Sequence, residues 1–109
     1  MWFAGRVKEE IARHEKMIAQ YPQNELARFS LAKAHYDAGD FATAAGHFQK
    51  AVEQKPNWMV AHILLGKCHL ALGKREGARR SFQQARQLAV AQDHDGPKAE
   101  MDQALAELE

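Results

Sequence analysis

The chain has 109 residues, 46% hydrophobic and 27% charged, with a formal net charge of +1; that is the size and make-up of one soluble globular domain, with no global field to draw nucleic acid or an anionic membrane. Cys68 is the single cysteine, which excludes an internal disulfide and fits a reducing compartment. No segment approaches the roughly 18 apolar residues of a membrane span, and the opening Met1-Trp2-Phe3-Ala4-Gly5-Arg6 lacks the apolar run of a secretory signal, so the expected location is the cytoplasm.

Residues 6–22 read as a first helix. Val7, Ile11, Ile18 and Tyr21 form an apolar stripe at helical spacing, with His14 between them. Trp2 and Phe3 stand ahead of it as spare aromatics. They would fold back over its open side or reach the same side of a second molecule, giving a homodimer. Asn24 is a good N-cap for the next helix, and Glu25 puts a negative charge in its first turn. That helix runs to about Ala38, where Gly39 supplies a left-handed C-cap. Asp40 caps a third helix, which Lys55-Pro56 ends near Gln54. Asn57 or Trp58 opens a fourth helix and Gly73 closes it. Lys74 stands in the place of the Asp40 cap, so the turn there is weaker. No proline lies near Val90, and the fifth helix runs on to about Gln92. Asp95-Gly96-Pro97 reads as a break, with Pro97 suited to a first helical turn. Met101, Ala104, Leu105 and Leu108 then fall at i, i+3, i+4 and i+7, one apolar face of a last helix over 97–109.

Residues 25–58 and 59–92 are two copies of one unit. At an offset of 34 without gaps, nine pairs are identical: Ala27/Ala61, Leu31/Leu65, Lys33/Lys67, His35/His69, Gly39/Gly73, Ala44/Ala78, Phe48/Phe82, Gln49/Gln83 and Ala51/Ala85. A helix, a turn and a helix repeating every 34 residues is the mark of a helical-repeat array.

The residues at fixed places in each copy resemble the tetratricopeptide-repeat (TPR) family. The first copy has Leu31-Ala32, His35, Ala44, Phe48 and Pro56; the second has Leu65-Gly66, His69, Ala78 and Phe82. Arg28 and His62 occupy the family's tryptophan place, His35 and His69 its tyrosine place, and Val90 its second proline place. The resemblance is to short stand-alone bacterial members. It implies an all-α fold of about six helices, in antiparallel helical hairpins stacked as a right-handed superhelix. The expected plan is a single domain over 1–109: an N-terminal half-repeat at 6–22, repeats at 25–58 and 59–92, and a C-terminal cap at 97–109. Stacked repeats need such atypical end units to cover apolar faces.

Small residues let the two helices of a hairpin approach. Ala32, Ala44, Ala51, Gly66, Ala78 and Ala85 take that part, and Leu31, Phe48, Leu65 and Phe82 fill the space they leave. A second stripe carries the functional expectation. Leu26, Phe29, Lys33, Tyr36 and Asp37 share one helix face, and Val60, Ile63, Lys67, Leu70 and Ala71 are their counterparts. The resemblance implies that this face is concave and contacts a partner, an unknown protein or peptide. The lysines would anchor a carboxylate and the apolar residues would take apolar side chains. Phe29 and Leu64 replace polar groups with which the chaperone-tail subclass grips a C-terminus, so that specificity is not expected. Two rivals remain: the chain's own end helix fills the groove, or the same surface joins two copies.

Other clusters point to packing. His62 and His69 are seven apart, no histidine pair has i, i+3 or i, i+4 spacing, and no metal site is expected. Cys68 stands where Ala34 stands in the first copy, a small buried position. Six bases and one acid over 67–86 face six acids and one base over 93–109, so the acidic end helix is expected to lie beside the basic one and neutralise it. Base-stacking aromatics are missing there, which argues against nucleic acid. No phosphate loop, nucleophile elbow or zinc-protease motif is present, and neither an enzyme nor a cofactor is expected. The reading is a protein–protein interaction scaffold, with structural self-assembly as the alternative.

Overall fold

The computed structural model describes the backbone of residues 2–109 and the side chains of residues 8–109. Among these residues there are six helices and no strand: α1 (Trp2–Gln20), α2 (Glu25–Asp37), α3 (Phe41–Gln54), α4 (Met59–Ala71), α5 (Arg75–Ala91) and α6 (Asp95–Glu107). They fall into two compact units, Met1–Pro56 and Asn57–Glu109.

Local chemistry sets most boundaries. Asn24 accepts from the Ala27 N–H at 3.0 Å, and Asp40 from the Thr43 N–H at 3.3 Å. These are the N-caps of α2 and α3. Gly39 and Gly73 take φ values of +82° and +75°, the left-handed conformation that lets each hairpin reverse. Lys74 caps α5 with no side-chain bond. Two helix starts differ from expectation. Helix α1 begins at Trp2, not residue 6, so Trp2 and Phe3 do not precede the helix. Their side chains, with that of Val7, lie outside the described residues. Helix α6 begins at Asp95, not Pro97, because the chain breaks earlier: Asp93 takes a φ of +57°, a conformation that Asp tolerates better than most side chains. Gly96 is therefore inside the first turn.

In the first unit, α2 packs against both α1 and α3. Ala32, Ala44 and Ala51 have no exposed surface, and Phe48 is fully buried. Phe29 meets Phe48 edge to face at 5.6 Å, and Tyr36 meets Phe41 in the same way at 5.4 Å. The rings of His35 and His47 stack at 5.7 Å.

In the second unit, α5 packs against both α4 and α6. A Cβ at Gly66 would stand 2.5 Å from Cε1 of Phe82, so the ring occupies the space the glycine leaves. Ile63, Ala78, Phe82, Ala85, Met101 and Leu108 form one cluster, with Met59, Ala104 and Leu105 packed on it. Helix α6 thus packs its apolar face on the second repeat, and its acids meet the bases there. Arg86 pairs with Asp102, and Lys98 holds Asp102 at 3.0 Å. Arg75 and Arg79 donate to the Leu108 carbonyl, satisfying one of the orphan acceptors at a helix C-terminus. No helix among the described residues is long and apolar enough to cross a membrane.

Candidate functional site

The two copies of the expected partner face meet different surroundings. On α4, Ile63 is only 8% exposed and belongs to the core cluster with Met101 and Leu108. Lys67 is held at 3.3 Å by Glu100 of α6. Val60 and Leu70 remain open, at 45% and 46% exposed. As free surface, then, the α4 stripe is broken in the middle, where Ile63 joins the core cluster and Glu100 of α6 takes Lys67.

On α2 the stripe is more open. Leu26 is 64% exposed, Phe29 and Tyr36 are half-buried, and Lys33 and Asp37 are exposed and bound to each other at 2.8 Å. Tyr36 is turned toward Phe41 and Phe48. The other four residues line a groove between α2 and α1. One part, of about 280 Å³, is lined by Glu10, His14, Phe29, Ser30, Lys33, Ala34 and Asp37. A second part, of about 190 Å³, is lined by His14, Met17, Asn24, Leu26, Ala27 and Ser30. His14 and Ser30 belong to both, so the two parts adjoin. Buried Ala27 and Ala34 form the floor.

Glu10, His14 and Met17 were missing from the expected site, and a signal for them exists. Carried one period upstream, the 34-residue offset sets Glu10, His14 and Met17 beside Ala44, Phe48 and Ala51. Those three are the fully buried residues of α3, which packs against α2. In α1 the same register opens onto a groove. The polar Glu10 and His14 there are consistent with a surface that the described residues leave uncovered.

Electrostatics away from the groove favour packing. Burial pushes the Cys68 thiol up to about 11, which keeps it from acting as a thiolate nucleophile. Burial, reinforced by Arg28, holds His47 below the usual imidazole range, and burial with Lys74 and Arg80 does the same for His69. No group of three or more metal-ligating side chains occurs among the described residues.

Comparison with known proteins agrees with the repeat pattern. A family model described as anaphase-promoting complex, cyclosome, subunit 3 matches residues 4–85. A TPR repeat-containing protein of Pseudomonas aeruginosa is 42% identical over 91 residues, which is 84% of this chain and 85% of that protein. The chain belongs to the tetratricopeptide-repeat family. The crystal structure of PcrH in complex with the chaperone binding region of PopD superposes with a TM-score of 0.87, at 21% identity, over 98% of this chain and 81% of that one. A protein of Bordetella parapertussis solved in solution superposes with a TM-score of 0.76, at 31% identity, over 90% of this chain and 85% of that one.

Proposed function

We propose that this chain is a non-catalytic scaffold of the cytoplasm that binds a peptide or helix of a partner protein, and that the groove between α1 and α2 is where it does so. The observation that carries the reading is the groove itself. It pairs an exposed apolar residue, Leu26, and a half-buried aromatic, Phe29, with a small-residue floor and a polar rim. Such a concave, mostly preformed site suits an apolar side chain flanked by a few oriented hydrogen bonds. The PcrH structure, where a TPR protein of the same fold holds a region of PopD, supports a binding role for the fold.

Panning a displayed peptide library on the wild-type chain tests this. Selected peptides are expected to lose more than about 1 kcal/mol of binding, roughly fivefold, on Leu26→Glu or Phe29→Ala. Leu26→Glu should leave the helical signal and melting temperature unchanged, since the side chain lies open. Peptides that bind both variants as well as the wild type would place binding elsewhere.

A further inference from the structure

The groove has a shape and a charge that restrict its occupant. Within the first unit, the α2/α3 hairpin shows how a first and a second helix of a repeat meet, with Ala44, Phe48 and Ala51 buried on α3. Helix α1 presents the residues of that same register, Glu10, His14 and Met17, to the groove. The groove is therefore the seat that the first helix of a preceding repeat would take, and the fitting occupant is itself a helix. Along α2 it extends from Leu26 to Asp37, a rise of roughly 16 Å, or three turns. A helix in that seat runs antiparallel to α1, as α2 runs to α3, so its C-terminal end lies beside Glu10 and Asp37.

The charged side chains lining that end are Glu10, Asp37 and Lys33, a net negative charge. Glu10 has no ion-pair partner among the described residues, and Asp37 is already held by Lys33. A cation is thus favoured there, and the negative C-terminal end of the occupant's own helix dipole favours basic residues in its last turn as well. A second copy of α6 is the wrong sign: its last turn carries the exposed Glu107 and no base. Resting on the scaffold reading above, we propose that the α1/α2 groove receives a three-turn amphipathic helix of a partner protein, parallel to α2, with an apolar stripe toward Phe29 and Leu26 and lysine or arginine in its last turn.

The test uses two fluorescein-labelled, alanine-based helical peptides with the same leucine stripe, one with lysines and one with glutamates in the last turn. Both are titrated against the full chain and its Glu10→Lys and Ser30→Trp variants. The lysine peptide is expected to bind the wild type roughly twofold to fivefold more tightly than the glutamate peptide, the range for exposed charge pairs. Glu10→Lys should reverse the preference. Ser30→Trp, which fills the groove at the residue shared by its two parts, should weaken both peptides by more than about tenfold. Leu26→Glu serves as the block if Ser30→Trp loses helicity. Equal or stronger binding of the glutamate peptide, still blocked by Ser30→Trp, would overturn the charge assignment and leave the groove as the binding site. Binding of both peptides that neither block affects, or no binding of either, would overturn the groove reading together with it.

Discussion

Helices α2 and α4 descend from one template, yet α4 is shielded where α2 is open. Each is the first helix of its hairpin, each carries a lysine at the same place, and each sets an apolar residue four positions before it. On α4 the chain supplies its own cover: Met101 and Leu108 pack with Ile63, and Glu100 takes Lys67. On α2 the additional helix of the unit, α1, lies alongside with its inward register vacant, and Lys33 is left to pair with Asp37 on its own helix. The stripe alone does not define a binding face. The position of the extra helix relative to the hairpin decides whether the stripe becomes core or groove.

The comparison can be broken first at its two matched anchors. Phe48 and Phe82 are both buried in their units, and Phe48→Ala and Phe82→Ala should each cost about 3–5 kcal/mol by urea unfolding, a large share of the roughly 5–15 kcal/mol of a small domain. A much smaller loss at either would mean that the copies are not packed alike. A subtler asymmetry lies at Ala32 and Gly66. The Phe82 ring stands where a Gly66 side chain would be, so Gly66→Ala should overpack the second unit and cost about 1–3 kcal/mol. Ala32→Gly in the first should cost nearer to about 1 kcal/mol, mainly through helix propensity. A gain in stability on Gly66→Ala, the preference of a helix interior for alanine, would show that Phe82 moves aside freely.

The caps give a smaller, opposed pair. Asp40→Ala removes the acceptor of the Thr43 N–H and should cost about 0.5–2 kcal/mol, while Lys74→Asp should gain up to a similar amount by adding the missing cap to α5. Thermal melts of the two variants read both signs. Mildest is the pH response. His47 and His69 have folded pKa values below the usual imidazole range, each from burial first and neighbouring bases second. Folding therefore favours the neutral rings, and the stability they contribute is present above that range and lost as pH falls through it. The melting temperature should drop on mild acidification, and the drop should shrink in a His47→Gln, His69→Gln double variant. An equal drop in both proteins would assign the acid sensitivity to other groups.

Much of this was legible from residues at fixed offsets. The period of 34, the two glycines with positive φ and the Asn24 and Asp40 caps foretold the hairpins, because turns and caps are local chemistry. The charge opposition between residues 67–86 and 93–109 likewise foretold the pairing of α6 with the second repeat. What escaped prediction depends on which neighbour lies over a surface. Ile63 and Phe29 look alike on a helical wheel, yet only Ile63 is packed with α6. Glu10, His14 and Met17 stand off the apolar stripe of the first helix, and only their register with Ala44, Phe48 and Ala51 shows which face they occupy. The early start of α6 at Asp95 was hidden because Asp93, and not Gly96, takes the positive φ.

Among the described residues, the first unit offers an open groove where the second has closed its own. Backbone amide chemical-shift mapping tests this most directly, with the isotope-labelled full chain titrated by a peptide that it binds. The shifts are expected to gather on α1 and α2, at Glu10, His14, Met17, Leu26, Phe29 and Ser30, with α4 and α6 unmoved. Shifts centred instead on Ile63, Lys67 and α6, showing that the peptide displaces the end helix, would contradict it.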